Sequence, residues 1–180
     1  CDRDNHRIVK ITPAGVTSVL AGSGVGGFVN GTGAAAQFNG PYCIVADASG
    51  NFYVGDRINN AIRKITPAGV VTTLAGSGTM ASVDGTGTAA SFAEPLGIAI
   101  NSAGNLYVVD YASQKIRKVT PAGVVTTLVT GYMAFGLAVD ASNVIYFTNY
   151  FQNRIYKFTE GSPTPVLVAG DTNSGNTDGN

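Results

Sequence analysis

The chain has 180 residues, a length typical of one domain, and a hydrophobic fraction of 44% that is enough for a sizeable core. Charged residues make up only 12%, with 11 basic and 11 acidic side chains. This balance argues against nucleic-acid binding by bulk charge and against a disordered polyelectrolyte. No stretch approaches the ~20 apolar residues that a membrane-spanning helix needs, so membrane insertion is not expected.

Taken in chain order, the same short motifs return at a fixed spacing. The string Thr-Pro-Ala-Gly-Val stands at residues 12–16, 66–70 and 120–124, which is a spacing of 54 residues both times. A Gly-rich segment around residues 20–33 returns at 74–87. The fourth copy is shorter, because Asn149 follows its counterpart Asp110 by only 39 residues and the Gly-rich segment is missing. The segment that varies in length is predicted to be a loop, and the constant segments are predicted to be the framework.

Each repeat predicts four short strands. In the best-defined copy they lie at residues 97–100, 105–109, 115–119 and 124–128, rich in β-branched and aromatic residues and bounded by Gly, Pro, Asn or Ser. Four antiparallel strands repeating at roughly 40–54 residues are typical of propeller blades. The first strand of each repeat is apolar and is expected to line the axis. The third strand carries Arg63, Lys64, Arg117 and Lys118, which are expected to lie further out, where their charged ends reach water.

Three motifs carry a family resemblance: Asn-His-Arg-Ile at residues 5–8, Pro-Leu-Gly-Ile-Ala at 95–99, and Gly-Asn-Leu-Tyr-Val at 104–108. With them, essentially the whole chain resembles the NHL repeat family, in the long-loop form of bacterial secreted proteins. The resemblance implies an all-β fold, an NHL-type β-propeller of four-stranded antiparallel blades, commonly six in number. It also implies a platform that binds proteins, RNA or glycans, while a few relatives are lyases or hydrolases.

The repeats divide the chain into a half blade at 1–24, blades at 38–78, 92–131 and 133–170, and the start of a further inter-blade loop at 171–180. These units amount to about 3.5 blades and 14 strands, which we interpret as part of a six-bladed or larger propeller. If the chain were complete, its open blade edges would offer a route to self-association.

Candidate binding residues concentrate at one end of the blades. A meander alternates its connections between two ends, so the long loops (residues 76–94 and their copy) and the polar turn after each second strand (56–60 and its copies) share one end, which we call the loop face. The candidate partner-binding residues there are Arg3, His6, Arg57, Asn59, Asn60, Tyr111, Gln114, Tyr150 and Gln152. The alternative is that the Asp and Asn residues only stabilise turns through their own side chains.

The sequence predicts no metal site, no cofactor and no catalytic residue. Asp84 offers one carboxylate in its loop, whereas Ca²⁺ takes about 6–8 oxygen ligands. The other interpretation of the long loops is a helical turn at residues 34–36 and 88–90 that packs Phe38 or Phe92 onto the blade. With His6 as its single histidine, the chain lacks the ligand set of a usual zinc site, and it is not expected to be an enzyme.

The two cysteines, Cys1 and Cys43, align with small residues of other repeats, so no disulfide is predicted. The leading functional hypothesis is a non-catalytic scaffold, secreted or at the cell surface, that recognises a protein or glycan through the loop face. One alternative is an RNA-binding propeller, which the balanced charge disfavours. Another is a fragment of a propeller lyase or hydrolase, with its active site completed by other blades.

Overall fold

The computed structural model describes residues 1–171 and shows an all-β chain of successive antiparallel sheets. The predicted start of a further loop at 171–180 lies, from residue 172 onward, outside the described residues. The first sheet is a pair, β1 (Ile8–Ile11) and β2 (Thr17–Ala21). Each later sheet contains a four-stranded meander, to which a short fifth strand is added in two of the three sheets, and we call the four sheets blades 1 to 4 in chain order.

Strand bounds follow the repeat. After the short β3 (Gly31–Thr32), blade 2 contains β4 (Pro41–Ala46), β5 (Phe52–Asp56), β6 (Ala61–Ile65) and β7 (Val70–Ala75). After the short β8 (Gly85–Thr86), blade 3 contains β9 (Pro95–Ile100), β10 (Leu106–Asp110), β11 (Lys115–Val119) and β12 (Val124–Thr130). Blade 4 contains β13 (Ala134–Val139), β14 (Ile145–Asn149), β15 (Arg154–Thr159) and β16 (Ser162–Ala169). Three 3₁₀ turns lie at Gly33–Ala35, Gly87–Ala89 and Tyr150–Gln152.

The described residues form sixteen strands, against the fourteen predicted. The two additional strands, β3 and β8, lie inside the long loops and pair with the outermost strands of the blades that follow them, Gly31 with Val71 and Gly85 with Val125. Two residues are too few to show an alternating pattern, so the sequence gives no signal for them. The long loops are therefore paired with the outer edges of blades 2 and 3.

Neighbouring blades pack face to face. The first strands β4, β9 and β13 lie side by side, in agreement with the expectation that they line an axis. Ile8, Ile62 and Ile116 occupy the same repeat position, and each is at most 2% exposed because the following blade covers it. Ile155 holds this position in blade 4 and is 41% exposed. It lines an apolar cavity of about 290 Å³ together with Tyr146 and neighbouring residues, so the propeller is open on this side.

The expectation that the third-strand arginines reach water is wrong. The side chains of Arg63 and Arg117 are fully buried, whereas Lys64 and Lys118 are partly exposed as expected. Each guanidinium lies 2.8 Å from a fully buried carboxylate at the end of the second strand, Asp56 in blade 2 and Asp110 in blade 3. Burial removes both charges from water at a large cost in solvation, which the attraction within the pair and the additional hydrogen bonds offset.

These buried pairs, which we call the arginine clamps, hold the preceding long loops. Arg63 donates hydrogen bonds to the carbonyls of Gln37 (3.1 Å) and Val29 (3.0 Å) and to Asn30 Oδ1 (2.8 Å). In blade 3, Arg117 donates to the Ser91 carbonyl, to Ser82 Oγ and to Asp84 Oδ1, the last at 2.6 Å. Desolvation raises the pKa of Asp56, although Asn59, the Asn39 amide and Arg63 all favour its charged form.

Aromatic rings complete each clamp. Phe38 and Phe92 are fully buried behind the 3₁₀ turns, which confirms the predicted helical turn that packs Phe onto the blade. Their ring centres lie 5.2 and 5.3 Å from the guanidinium carbons of Arg63 and Arg117. A guanidinium over an aromatic face is stabilised by the electron density of the ring. The long loop is therefore part of the blade core.

The two cysteines are free thiols, and burial raises the pKa of the Cys43 thiol to about 12. None of the helical turns within residues 1–171 has the length or apolar character of a membrane-crossing helix.

Candidate binding surface on the loop face

The long loops and the turns after the second strands meet at one end of the blades, as the meander predicts. The Ile58 amide donates to the Asn39 carbonyl (3.1 Å), and the Tyr111 amide donates to the Glu94 carbonyl (3.2 Å). Both bonds join a turn to the end of the loop that precedes its blade. The loop face is therefore a continuous surface in which short turns and long loops support one another.

Three of the nine candidate residues share a left-handed turn position: His6, Asn60 and Gln114 have φ of 52°, 50° and 56°. The His6 ring accepts a hydrogen bond at Nδ1 from the Gly40 amide (3.1 Å), and Asn60 Oδ1 accepts one from the Glu94 amide (3.0 Å). Each bond crosses to the next blade. His6 and Asn60 therefore tie adjacent blades together, and Asn60 is only 7% exposed.

Two more candidates are engaged within the fold. Asn59 is buried, and its Nδ2 donates to the Gly27 carbonyl (2.7 Å) and to Asp56 Oδ2 (2.9 Å). Gln152 Oε1 accepts from Asn149 Nδ2 (3.1 Å) and from the Tyr156 hydroxyl (3.0 Å). Both side chains are thus hydrogen-bonded within the fold, and their part in partner binding stays a prediction.

The four remaining candidates occupy one repeat position, the first residue after the second strand. This position is Arg3, Arg57, Tyr111 and Tyr150 in successive blades. The side chains of Arg3 and Arg57 are 50% and 31% exposed, Tyr111 is half-buried, and Tyr150 is 64% exposed. The position therefore presents two cations followed by two aromatic rings, and we call this row the loop-face arc.

The cationic end of the arc encloses a small cavity. Arg3, His6 and Arg57, all sequence-predicted, line a space of about 120 Å³ together with Asp4, Gly40 and Ile58. Arg3 Nε lies 2.9 Å from Asp4 Oδ1, and Arg57 Nη2 lies 3.1 Å from each carboxylate oxygen of Glu94. Both cations are thus paired with carboxylates, and the local charge is balanced.

The aromatic end of the arc is a row of rings in edge or tilted contact. Tyr111 packs against Phe135 with ring centres 5.4 Å apart, and Phe135 lies 5.6 Å from Tyr150, which in turn contacts Phe151 at 5.2 Å. Phe135 and Phe151 are 37% and 60% exposed. Such ring pairs are rigid, amphipathic contact surfaces of the kind enriched at binding sites.

Sequence reasoning missed Glu94, Phe135 and Phe151. Phe135 occupies the repeat position of Tyr42 and Leu96 in the earlier blades. An aromatic residue at this position in two of three blades was a signal that could have added Phe135 to the candidates. Tyr42 lies 6.0 Å from the Arg57 guanidinium and extends the arc on its cationic side. Within the part of the chain that the structure describes, no three His, Cys, Asp or Glu side chains gather as metal ligands.

Part of the sequence is similar to known proteins. Residues 92–119, which span β9, β10 and β11, match the family model of the NHL repeat. Over 91 residues, half of this chain, the sequence is 34% identical to Protein SUPPRESSOR OF QUENCHING 1, chloroplastic, of Arabidopsis thaliana; the match covers 9% of that protein.

Solved structures share the fold at low sequence identity. Virginiamycin B lyase from Staphylococcus aureus superposes with a TM-score of 0.66 at 18% identity, over 93% of this chain and 50% of the lyase chain. A chain of the nidogen/laminin complex superposes with a TM-score of 0.68 at 14% identity, over 94% of this chain and 60% of that chain. The present chain thus spans about half the length of the lyase. The chain therefore contains an NHL repeat at residues 92–119 and has a fold of β-propeller type, open in the part described.

Proposed function

We propose that this chain is a non-catalytic binding module that recognises a protein or glycan partner through the loop-face arc. The observation that carries the proposal is that one repeat position places Arg3, Arg57, Tyr111 and Tyr150 in a row on a single face. Binding residues concentrate on loops held by a rigid scaffold, and exposed Tyr and Arg residues are the most frequent energetic centres of interfaces. The nidogen/laminin chain shows that a similar fold occurs in a protein complex.

The proposal includes a location outside the cell or at its surface. Its support is the low charge content of 12% and the neutral balance of the chain. Protease treatment of intact cells, followed by immunodetection of this chain, tests the location. Loss of the signal without cell lysis supports it, and full protection of the chain contradicts it.

The binding role is tested with defined ligand collections, namely an array of purified glycans and a displayed peptide library. The variant Arg57→Ala/Tyr111→Ala should lose binding of every ligand that the unaltered chain selects. Lys10→Ala/Ser49→Ala, two exposed positions away from the arc, is the matched control and should retain it. Equal binding by both variants would contradict the assignment of the site to the loop face.

Two other functions make different predictions. An RNA-binding propeller would shift single-stranded RNA in a strongly salt-dependent manner, since phosphate contacts release counterions. A lyase or hydrolase fragment is suggested by the shared fold with virginiamycin B lyase, a likeness of architecture at 18% identity. Turnover of virginiamycin B by the intact natural protein, abolished by a substitution in this chain, would favour the enzyme over the binding module.

A further inference from the structure

The charge arrangement of the arc restricts the ligands that suit it. At its cationic end, Arg3 is paired with Asp4 and Arg57 with Glu94. A ligand anion at either guanidinium would lie close to a carboxylate, and a ligand cation would lie close to a guanidinium. A neutral hydroxyl group meets neither repulsion, because it donates to a carboxylate and accepts from a guanidinium.

The same groups retain free hydrogen-bonding capacity. Arg57 donates to both carboxylate oxygens of Glu94 through Nη2. Arg3 is bonded to Asp4 through Nε. A guanidinium has five N–H donors and a carboxylate has about four acceptor sites, so each ion pair can also bind neighbouring hydroxyls. Adjacent donors and acceptors of this kind match the vicinal diols of a sugar ring.

The aromatic end offers the second element of such recognition. Tyr111 is half-buried beside Phe135, which is 37% exposed although blades 3 and 4 are both present around it. The face of an aromatic ring is electron-rich, and the C–H bonds on one face of a pyranose ring are weakly positive. Saccharide units can therefore lie on these rings while their hydroxyls reach the polar groups.

The shape of the cavity agrees with this chemistry. Its volume of about 120 Å³ is below the ~300–1,000 Å³ of pockets that bury a drug-sized apolar ligand. Its lining combines the charged groups of Arg3, Asp4 and Arg57 with the apolar side chain of Ile58, so a large apolar side chain of a peptide would desolvate the charged groups there. A hydroxyl or hydroxymethyl group fits the space and satisfies the lining.

We propose that the loop-face arc binds a neutral oligosaccharide, with sugar hydroxyls at the Arg3–Asp4 and Arg57–Glu94 pairs and pyranose rings on Tyr111 and Phe135. This assignment rests on the proposed function and names its ligand class. The repeated position supplies successive contacts, so affinity should rise with the number of sugar units until the arc is filled.

The test is calorimetric titration of the full chain with neutral hexaoses of glucose, xylose and mannose in different linkages. An oligogalacturonate serves as the anionic comparator and a chitosan oligosaccharide as the cationic one. At least one neutral hexaose should bind, with an affinity that changes less than about threefold between ~50 and ~500 mM salt, since no net charge is involved. Binding of only a charged comparator, with a steep salt dependence, would overturn the proposal.

Variants make the test specific. Tyr111→Ala and Phe135→Ala should each weaken the neutral hexaose at least tenfold, and Glu94→Gln should weaken it several-fold while keeping the side-chain shape. Lys10→Ala is the control, and thermal unfolding establishes that each variant is folded. A different result would be that no neutral hexaose binds, while a selected peptide binds the unaltered chain and does not bind Arg57→Ala/Tyr111→Ala. That result would contradict the sugar assignment and support the proposed binding function. Ligand binding that no arc variant alters would refute both.

Discussion

Blades 2 and 3 carry a long loop and a buried arginine clamp, whereas blade 4 has neither. The positions of Asp110, Arg117 and Thr127 in blade 3 are occupied by Asn149, Tyr156 and Leu167 in blade 4. The loop that Arg117 holds is replaced by a short connection around residue 132. Blade 4 therefore lacks the long loop, the carboxylate and the guanidinium together.

A neutral cluster takes the place of the clamp in blade 4. Tyr132, from the short connection, packs its ring 5.1 Å from Tyr156 and 5.2 Å from Phe147. Glu160, in the last turn, accepts hydrogen bonds from the Tyr107 hydroxyl and from Lys118 Nζ, each at 2.6 Å, and so joins blade 4 to blade 3. In the described residues, the buried charges of blades 2 and 3 thus occur where a long loop supplies backbone or side-chain oxygens that satisfy the guanidinium.

The largest expected effect separates the clamp from its neutral counterpart. Arg117→Met leaves Asp110 buried without its cation, so the free energy of unfolding should fall by about 3–5 kcal/mol. Tyr156→Phe, at the equivalent position, removes one hydroxyl and should lower it by only about 1 kcal/mol. Urea unfolding measures both. Equal losses in the two variants would show that the clamp is no more than local packing.

The next test concerns how the loop-bearing blades fit their neighbours. Gly123 has φ of +79°, and a Cβ there would lie 2.6 Å from the Leu74 carbonyl oxygen of blade 2. Gly123→Ala should therefore destabilise the chain by about 1–3 kcal/mol. Gly161, in the corresponding turn of blade 4, has open space around it, so Gly161→Ala should change stability by less than about 0.5 kcal/mol. Thermal melts compare the two, and a similar shift in Tm would argue against close contact at Gly123.

The stability that the Glu160 hydrogen bonds between blade 4 and blade 3 contribute should depend on pH. Partial burial acts to raise the pKa of Glu160, but hydrogen bonds from Lys118 and Tyr107 outweigh it and hold the pKa below its ordinary value of 4.5. The contribution of the ionised Glu160 carboxylate to the free energy of unfolding is therefore present above pH 4.5. It is lost as the pH falls through the lower folded-state pKa of this group.

Glu160→Gln should lower the free energy of unfolding at pH 7 by about 0.2–1 kcal/mol, as for other partly exposed ion pairs. The difference from the unaltered chain should shrink as the solution is acidified. Denaturant unfolding at a series of pH values measures the trend. A difference that grows toward acid pH would contradict the assigned direction.

An effect of similarly small size distinguishes the two clamps from each other. Asn30 Oδ1 accepts from Arg63 (2.8 Å) and Thr73 (3.2 Å), whereas Asp84, its counterpart, binds Arg117 and both the amide and the hydroxyl of Thr127. Asn30→Asp should add about 0.2–1 kcal/mol at low salt, and Asp84→Asn should remove a similar amount. The free energy of unfolding of both variants, measured at several salt concentrations, tests this. An increase in stability in Asp84→Asn would show that the carboxylate is not favourable there.

Periodicity predicted the framework because strands, turns and loop lengths follow from local residue patterns. The sequence misplaced Arg63 and Arg117, since a long basic side chain on a strand usually reaches water and only tertiary contacts show otherwise. A usable signal was present: the fourth repeat replaces the Arg and Asp in the same copy that lacks the loop. The bonds of His6 and Asn60 to the next blade could not be predicted, because no single repeat displays contacts between blades.

Ile8, Ile62 and Ile116 are covered by the blade that follows them, whereas Ile155, at the same repeat position, is 41% exposed. In a repeat array, each interface between neighbouring units adds to the stability of the units that it joins. In the described part of the chain, the amide hydrogens of β15 should therefore exchange with solvent before those of β6 and β11.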